Sequence, residues 1–179
     1  MPPRGGSCHR HPGLRFLLSF GILAGVFYTI ACFAPFYKER LFPLCLRLTA
    51  ELSGAVLALL GQDIAIAGTL ISTPEFSASI VRGCDAIEPT ALFVCAVLAF
   101  PSSLSRKIPG VLVGALSLAI LNFVRIVSLF LIGVYLPGIL GIMHVDVWQG
   151  VFMLLAMMLW VLWLLWATHN PIPTERISD

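Results

Sequence analysis

Long apolar runs separated by short polar clusters dominate this chain. Residues 16–34 are nearly all apolar, and at about 1.5 Å per residue such a run crosses the ~30 Å hydrocarbon core of a bilayer. It reads as an uncleaved first span, because no A-x-A-like site follows its basic lead. Residues 44–61 are also apolar but carry Arg47 and Glu51 one helical turn apart on one face, the pattern of an amphipathic or shallowly inserted helix as much as of a span. Residues 62–83 change character. Asp63, Thr69, Ser72, Glu75, Ser77 and Ser79 surround short β-branched runs that break at Thr73-Pro74, which predicts a small extramembrane hairpin or irregular segment.

Three more apolar runs follow, at 86–100, 108–136 and 147–167, and each reads as a span. The fold expected is therefore all-α and integral to the membrane: a polytopic helical bundle of four to five transmembrane helices, with a small extracytoplasmic segment between the first spans. The membrane domain covers residues 16–168, between a basic tail at 1–15 and a second tail at 169–179. Gly110, Gly114, Ser117 and Gly133 offer small surfaces at which helices approach closely.

Charge orients the bundle. Arg4, Arg10 and Arg15 precede the first span, and Arg106-Lys107 stand in the connection after Pro101, so the positive-inside rule places both in the cytoplasm of a cell whose inner membrane holds the chain. Cys84, just before the span that descends to Arg106-Lys107, and His144, between the span that rises from it and the one that returns, then share the outer side. This holds whether or not 44–61 crosses. The tail with Arg176 is cytoplasmic in both versions.

Composition narrows the function. With 59% hydrophobic and 11% charged residues the chain lies outside the range of soluble domains. A net charge of +2, with no basic stretch interleaved with aromatics, excludes a nucleic-acid groove. The 5 cysteines form no C-x-x-C pair, so neither a disulfide framework nor a dithiol relay is expected. Cys8-His9-Arg10-His11 lacks the second ligand pair of a closed zinc shell, and no metal or cofactor is indicated.

Three reactive side chains remain. Arg125 lies inside an apolar run, where an arginine is costly and marks a function or a buried partner. At about 100° per residue Gly114, Ser117, Arg125 and Ser128 share a face with Asn122 at its margin, a polar stripe that should meet protein or water. Arg125 precedes the outer end of its run by about eleven residues, roughly 16 Å along the axis, so a water-accessible funnel is expected above it. Glu88 is the candidate ion-pair partner, in a purely structural role or as an aiming group. Cys84 follows Gly83 in the turn before a helix, where unpaired N–H groups and the helix dipole favour a thiolate; Asp85 opposes this. His144 stands in a short loop, and an imidazole can take a proton from a thiol or give one to a leaving amine. Asp146 is a candidate to orient it. Singly, an inert cysteine and an interfacial histidine account for these positions; together, thiol, imidazole and guanidinium supply the groups for cysteine acyl transfer.

At these residues the chain resembles the exosortase/archaeosortase family. Val81-Arg82-Gly83-Cys84, Asn122-Phe123-Val124-Arg125-Ile126 and His144 followed by Val147-Trp148-Gln149 match its three signature regions in order, and the resemblance covers Ala65 to Trp166. The small size and the stretch from His144 to Gln149 are most similar to the exosortase H group. The resemblance implies that Cys84 is the nucleophile, Arg125 the stabiliser of thiolate or oxyanion, and His144 the general acid/base of a membrane cysteine transpeptidase or protease. It implies as substrates secreted proteins with a C-terminal sorting tail: a short recognition motif of the IPTL type, a transmembrane helix and a basic cluster. A Cys acyl-enzyme would pass the product to a cell-envelope acceptor on the periplasmic or outer side. Asp85-Ala86 replace the small polar residue and glycine usual after the cysteine. Two alternatives stand beside this reading: an intramembrane protease that only hydrolyses, and a non-enzymatic transport or assembly protein built on an Arg125–Glu88 pair. No internal repeat supports a transporter.

Overall fold

Each apolar run of the sequence is helical in the computed structural model, which describes residues 12–81, 83 and 86–169. Residues 1–11 with the Cys8-His9-Arg10-His11 cluster, residues 170–179, Arg82, Cys84 and Asp85 lie outside the described residues. Helix α1 spans Pro12–Phe33 and α2 spans Phe42–Leu59 after a π-helical turn at Tyr37–Leu41. Helix α3 is Ile87–Ala99 and α4 is Leu104–Tyr135. After Pro137, which cannot donate to a continued helix, a 3-10 turn leads into the short α5 (Leu140–Ile142), a π-helical turn (Met143–Val147) and α6 (Trp148–His169). Four stretches, 13–33, 37–59, 104–135 and 137–169, are long and apolar enough to cross a membrane, and the chain is a multi-pass membrane protein. Helix α3 has only 13 residues, about 20 Å.

The two ends of the bundle are built differently. At one end Phe16 of α1 meets Phe100 edge-on (6.4 Å) and lies tilted against Trp160 of α6 (6.0 Å), and Phe100 meets Trp163 edge-on at 5.8 Å. Arg106 and Lys107 sit here and hold helix C-termini, whose last carbonyls lack partners and carry the negative end of the dipole. Arg106 donates to the Ala167 carbonyl of α6, and Lys107 Nζ donates to Leu98 O of α3 at 2.6 Å. Trp163 Nε1 donates back to Arg106 O at 3.2 Å.

The opposite end carries α2 and a small sheet. Phe42, at the start of α2, lines a cavity with Tyr28 and Cys32 of α1 and Ile87 and Glu88 of α3. Just beyond the other end of α2, Gln62 Nε2 donates to Tyr135 Oη, at the last residue of α4, at 2.9 Å. Both ends of α2 therefore lie toward the end of the bundle opposite Arg106.

Instead of a single hairpin, residues 65–79 form a three-stranded antiparallel sheet in the order β1 (Ala65–Ala67), β2 (Leu70–Ser72) and β3 (Ser77–Ser79). Gly68 takes φ +68° in the first turn, a region that glycine enters without steric cost. Thr73 closes the second turn: its N–H donates to Phe76 O at 2.8 Å and its Oγ1 accepts from Phe76 N–H at 3.1 Å.

Two apolar cores meet along α4. One joins Leu46, Ala50 and Leu57 of α2, Ile71 and Ile80 of the sheet region, and Ile126 and Phe130 of α4. The other joins Phe93 and Val97 of α3, Leu118 of α4, and Phe152, Trp163 and Ala167 of α6. The glycines of α4 take the close contacts anticipated from their size: a methyl at Gly110 would overlap the Trp163 indole, at Gly114 the Phe93 ring and at Gly133 the Phe76 ring.

Candidate active site

Arg125 lies where the two cores meet, and it is 4% exposed although α4 runs through membrane-type sequence. The polar stripe read from the sequence faces protein: Gly114, Asn122 and Arg125 are buried and Ser117 and Ser128 half-buried. Ser128 Oγ donates to Arg125 O at 2.9 Å, satisfying its own hydroxyl inside the helix.

The guanidinium points at the segment before α3. Arg125 Nη1 donates to Gly83 O at 3.4 Å, a long hydrogen bond, and Nε has no hydrogen-bond partner among the described residues. Asn122 Oδ1, one turn below, is likewise buried without a donor among the described residues. Buried polar atoms of this kind are rare in folded proteins and mark places where water, an ion or a substrate group completes the set. Gly83 has φ +93° and Ala86 φ +53°, so left-handed backbone flanks the position of Cys84 on both sides. For an alanine this costs energy, and such strain concentrates at functional sites.

The contact with Gly83 corrects the expected depth. The sequence pattern puts the turn before α3 at the membrane surface, with Arg125 well below. With only 13 residues α3 is too short to reach from the Arg106 end to that surface, so its first turn starts at the level of Arg125 and the chain descends to meet the guanidinium.

His144 lies in the π-helical turn before α6, half-buried. It lines a cleft of about 350 Å³ with Leu140 and Gly141, with Ile126, Leu129 and Phe130 of α4, and with the sheet segment through Ile71, Phe76 and Ile80. Ile126 is the neighbour of Arg125, and Ile80 precedes Gly83 by three residues. The cleft therefore joins His144 to the α4 residue next to Arg125 and to the end of the strand that leads to Gly83. Asp146 is exposed on the same turn. Among the described residues no group of three His, Cys, Asp or Glu converges as a metal site.

The Glu88–Arg125 pair is not formed. Glu88 is exposed, faces the cavity beside Tyr28 and Phe42, and has no ion pair with Arg125. The reason is helical phase: Phe93 is the α3 residue that packs on Gly114 of α4, and Glu88, five positions earlier, stands about 140° away around the axis. The carbonyl of Gly83 takes the position expected of the carboxylate.

The cleft was not read from the sequence. Its signal was the alternation Phe76-Ser77-Ala78-Ser79-Ile80, a strand with one apolar and one polar face. No curated protein and no solved structure matches the chain. The family pattern described as "Transmembrane exosortase (Exosortase_EpsH)" matches residues 11–166, reaching α1 and α2 as well as the three signature regions. The chain thus belongs to the transmembrane exosortase family.

Proposed function

We propose that this protein is a membrane cysteine transpeptidase that cleaves the C-terminal sorting tail of secreted proteins. The observation that carries the reading is the buried guanidinium of Arg125, which donates to the carbonyl of the residue preceding Cys84 and whose Nε has no partner among the described residues.

In this mechanism the Cys84 thiolate attacks the carbonyl carbon of the scissile peptide bond. Arg125 stabilises the thiolate and the oxyanion that develops, a role for which a preorganised, desolvated donor is far more effective than one in water. The C–N bond then breaks, and the departing amine takes its proton from the imidazolium of His144, leaving a thioester on Cys84. An amine or hydroxyl of an envelope acceptor attacks the thioester, His144 removes its proton, and the thiolate is restored. Attack by water in place of the acceptor gives hydrolysis. Asn122, whose buried oxygen has no donor among the described residues, is a further polar group three residues before Arg125 on α4.

The membrane arrangement follows from charge. Arg106 and Lys107 mark the cytoplasmic end, and the sheet, Gly83 and His144 belong to the outer side of the inner membrane. Helix α2, with both ends toward that side, is an outer-leaflet helix. The substrate is a secreted protein whose tail presents a short IPTL-type motif, a transmembrane helix and a basic cluster.

The reading is tested by co-expressing the enzyme with a reporter that carries such a tail and following loss of the tail on a gel. Cys84→Ser, Arg125→Ala and His144→Ala should each leave the reporter full-length; cleavage by Cys84→Ser would refute the mechanism. The non-enzymatic reading rested on an Arg125–Glu88 pair, which the structure lacks.

A further inference from the structure

The edge of the small sheet lies open beside the cleft that contains His144. Strand β3 is the terminal strand of the order β1-β2-β3 and pairs with β2 alone. The ladder fixes which of its backbone groups are used. Thr73 N–H bonds Phe76 O, Ile80 N–H bonds Thr69 O, and Ala78 stands opposite Ile71 between them. In an antiparallel ladder each residue directs its N–H and C=O to one side, and sides alternate along the strand. Phe76, Ala78 and Ile80 therefore bond inward to β2, while the N–H and C=O groups of Ser77 and Ser79 point out from the edge. Among the described residues no backbone group bonds them.

The side chains alternate in the same way. Phe76, Ala78 and Ile80 turn toward α4, where they line the cleft with Ile126, Leu129 and Phe130, and Ser79 stands at its rim. A volume of about 350 Å³ lies in the range of pockets that hold small ligands, from roughly 300 Å³ upward. Directly after β3 the chain continues through Ile80 and Gly83 to Cys84. Because Cys84 comes five positions after Ser79, the chain between them spans at most about 16 Å at roughly 3.3 Å per residue.

We infer that β3 is the recognition strand: an extended apolar peptide, the substrate segment next to the scissile bond, adds to its open edge as a fourth strand and buries every second side chain in the cleft beside His144. This inference rests on the proposed function for the identity of the peptide and supplies how the peptide is held. Backbone bonds to Ser77 and Ser79 would give register independent of sequence, and the cleft would select branched apolar side chains at alternate positions, the division of labour of peptide recognition by strand addition.

Cross-linking tests the inference without turnover. In a Cys84→Ser protein with the other cysteines replaced by alanine, Ser79→Cys provides one thiol, and a reporter tail carries one cysteine moved stepwise through Ile-Pro-Thr-Leu and two flanking residues. Mild oxidation should give disulfides at alternate positions, because cross-strand neighbours face one another only every second residue. Cross-links at no position, or at consecutive positions alike, would overturn strand addition. In the Cys84-containing protein, Ser79→Pro removes one outward N–H and should slow reporter cleavage at least tenfold; an unchanged rate would overturn the inference. Alkylation of Cys84 by iodoacetamide checks that this variant retains its fold. The cross-link pattern forms with or without an acyl-enzyme, so its failure leaves the cysteine chemistry standing.

Discussion

Arg125 and Gly83 are joined across 42 residues of sequence by a hydrogen bond from a guanidinium to a backbone carbonyl, at 3.4 Å. The bond ties the middle of α4 to the residue before Cys84, and among the described residues no carboxylate pairs with this buried arginine. Arg125→Lys should therefore fail as Arg125→Ala does. Lysine keeps the charge but lacks the planar fork that can bond Gly83 and still present a second N–H to an oxyanion. A loss of roughly 100- to 1,000-fold in cleavage rate is expected for either variant, the range for removing one oxyanion donor. Single-turnover cleavage of the reporter tail in detergent measures it.

Glu88 should be dispensable for the chemistry. It is exposed and turned toward the α1–α2 cavity, so Glu88→Gln is expected to leave reporter cleavage within about twofold of the parent, the scale of surface substitutions. A loss approaching that of Arg125→Ala would show that the carboxylate serves the guanidinium after all.

Packing of the core between the sheet and α4 can be read through one atom. A methyl at Gly133 would overlap the Phe76 ring, which itself lies edge-on to Phe130 at 5.3 Å. Gly133→Ala should cost about 1–3 kcal/mol, as overpacking does, and displace the sheet from α4. A fall in the thermal midpoint, relieved by Phe76→Leu in the double mutant, is the expected outcome. An additive effect of the two changes would contradict direct contact.

At the other end, Arg106 and Trp163 form a reciprocal link: Arg106 donates to Ala167 O, and Trp163 Nε1 to Arg106 O. Trp163→Phe removes the indole donor and leaves Gly110 a smaller neighbour. A destabilisation of about 1–3 kcal/mol is expected by thermal unfolding, with the cleavage rate at permissive temperature retained, because the site is at the opposite end.

The helices were legible because membrane spans are written in long apolar runs, and the inward face of α4 because small and polar residues recur at helical spacing. Gly110, Gly114 and Gly133 were identified as close-contact positions by size alone. Less was visible at the site. The descent of the chain to Arg125 depends on the shortness of α3, and an apolar run ending at Pro101 gives no direct measure of where its helix begins. The Glu88 expectation failed on phase: similar depth placed the two charges together, whereas the contact of Phe93 with Gly114 sets the rotation of α3 and turns Glu88 away. The sheet read as a hairpin or irregular segment because strands of three residues carry little periodicity. The turn that holds His144 is π-helical, and no local residue pattern in Met143–Val147 announces that geometry.

The central claim is covalent catalysis at Cys84, and trapping the intermediate tests it most directly. The enzyme is mixed with a tail-bearing reporter, quenched in acid within the first turnover and analysed by intact mass. The account predicts an adduct equal in mass to the enzyme plus the N-terminal product less water, released by hydroxylamine and absent from Cys84→Ser. Efficient cleavage with no hydroxylamine-sensitive adduct at any time point, or the same adduct on Cys84→Ser, would contradict it.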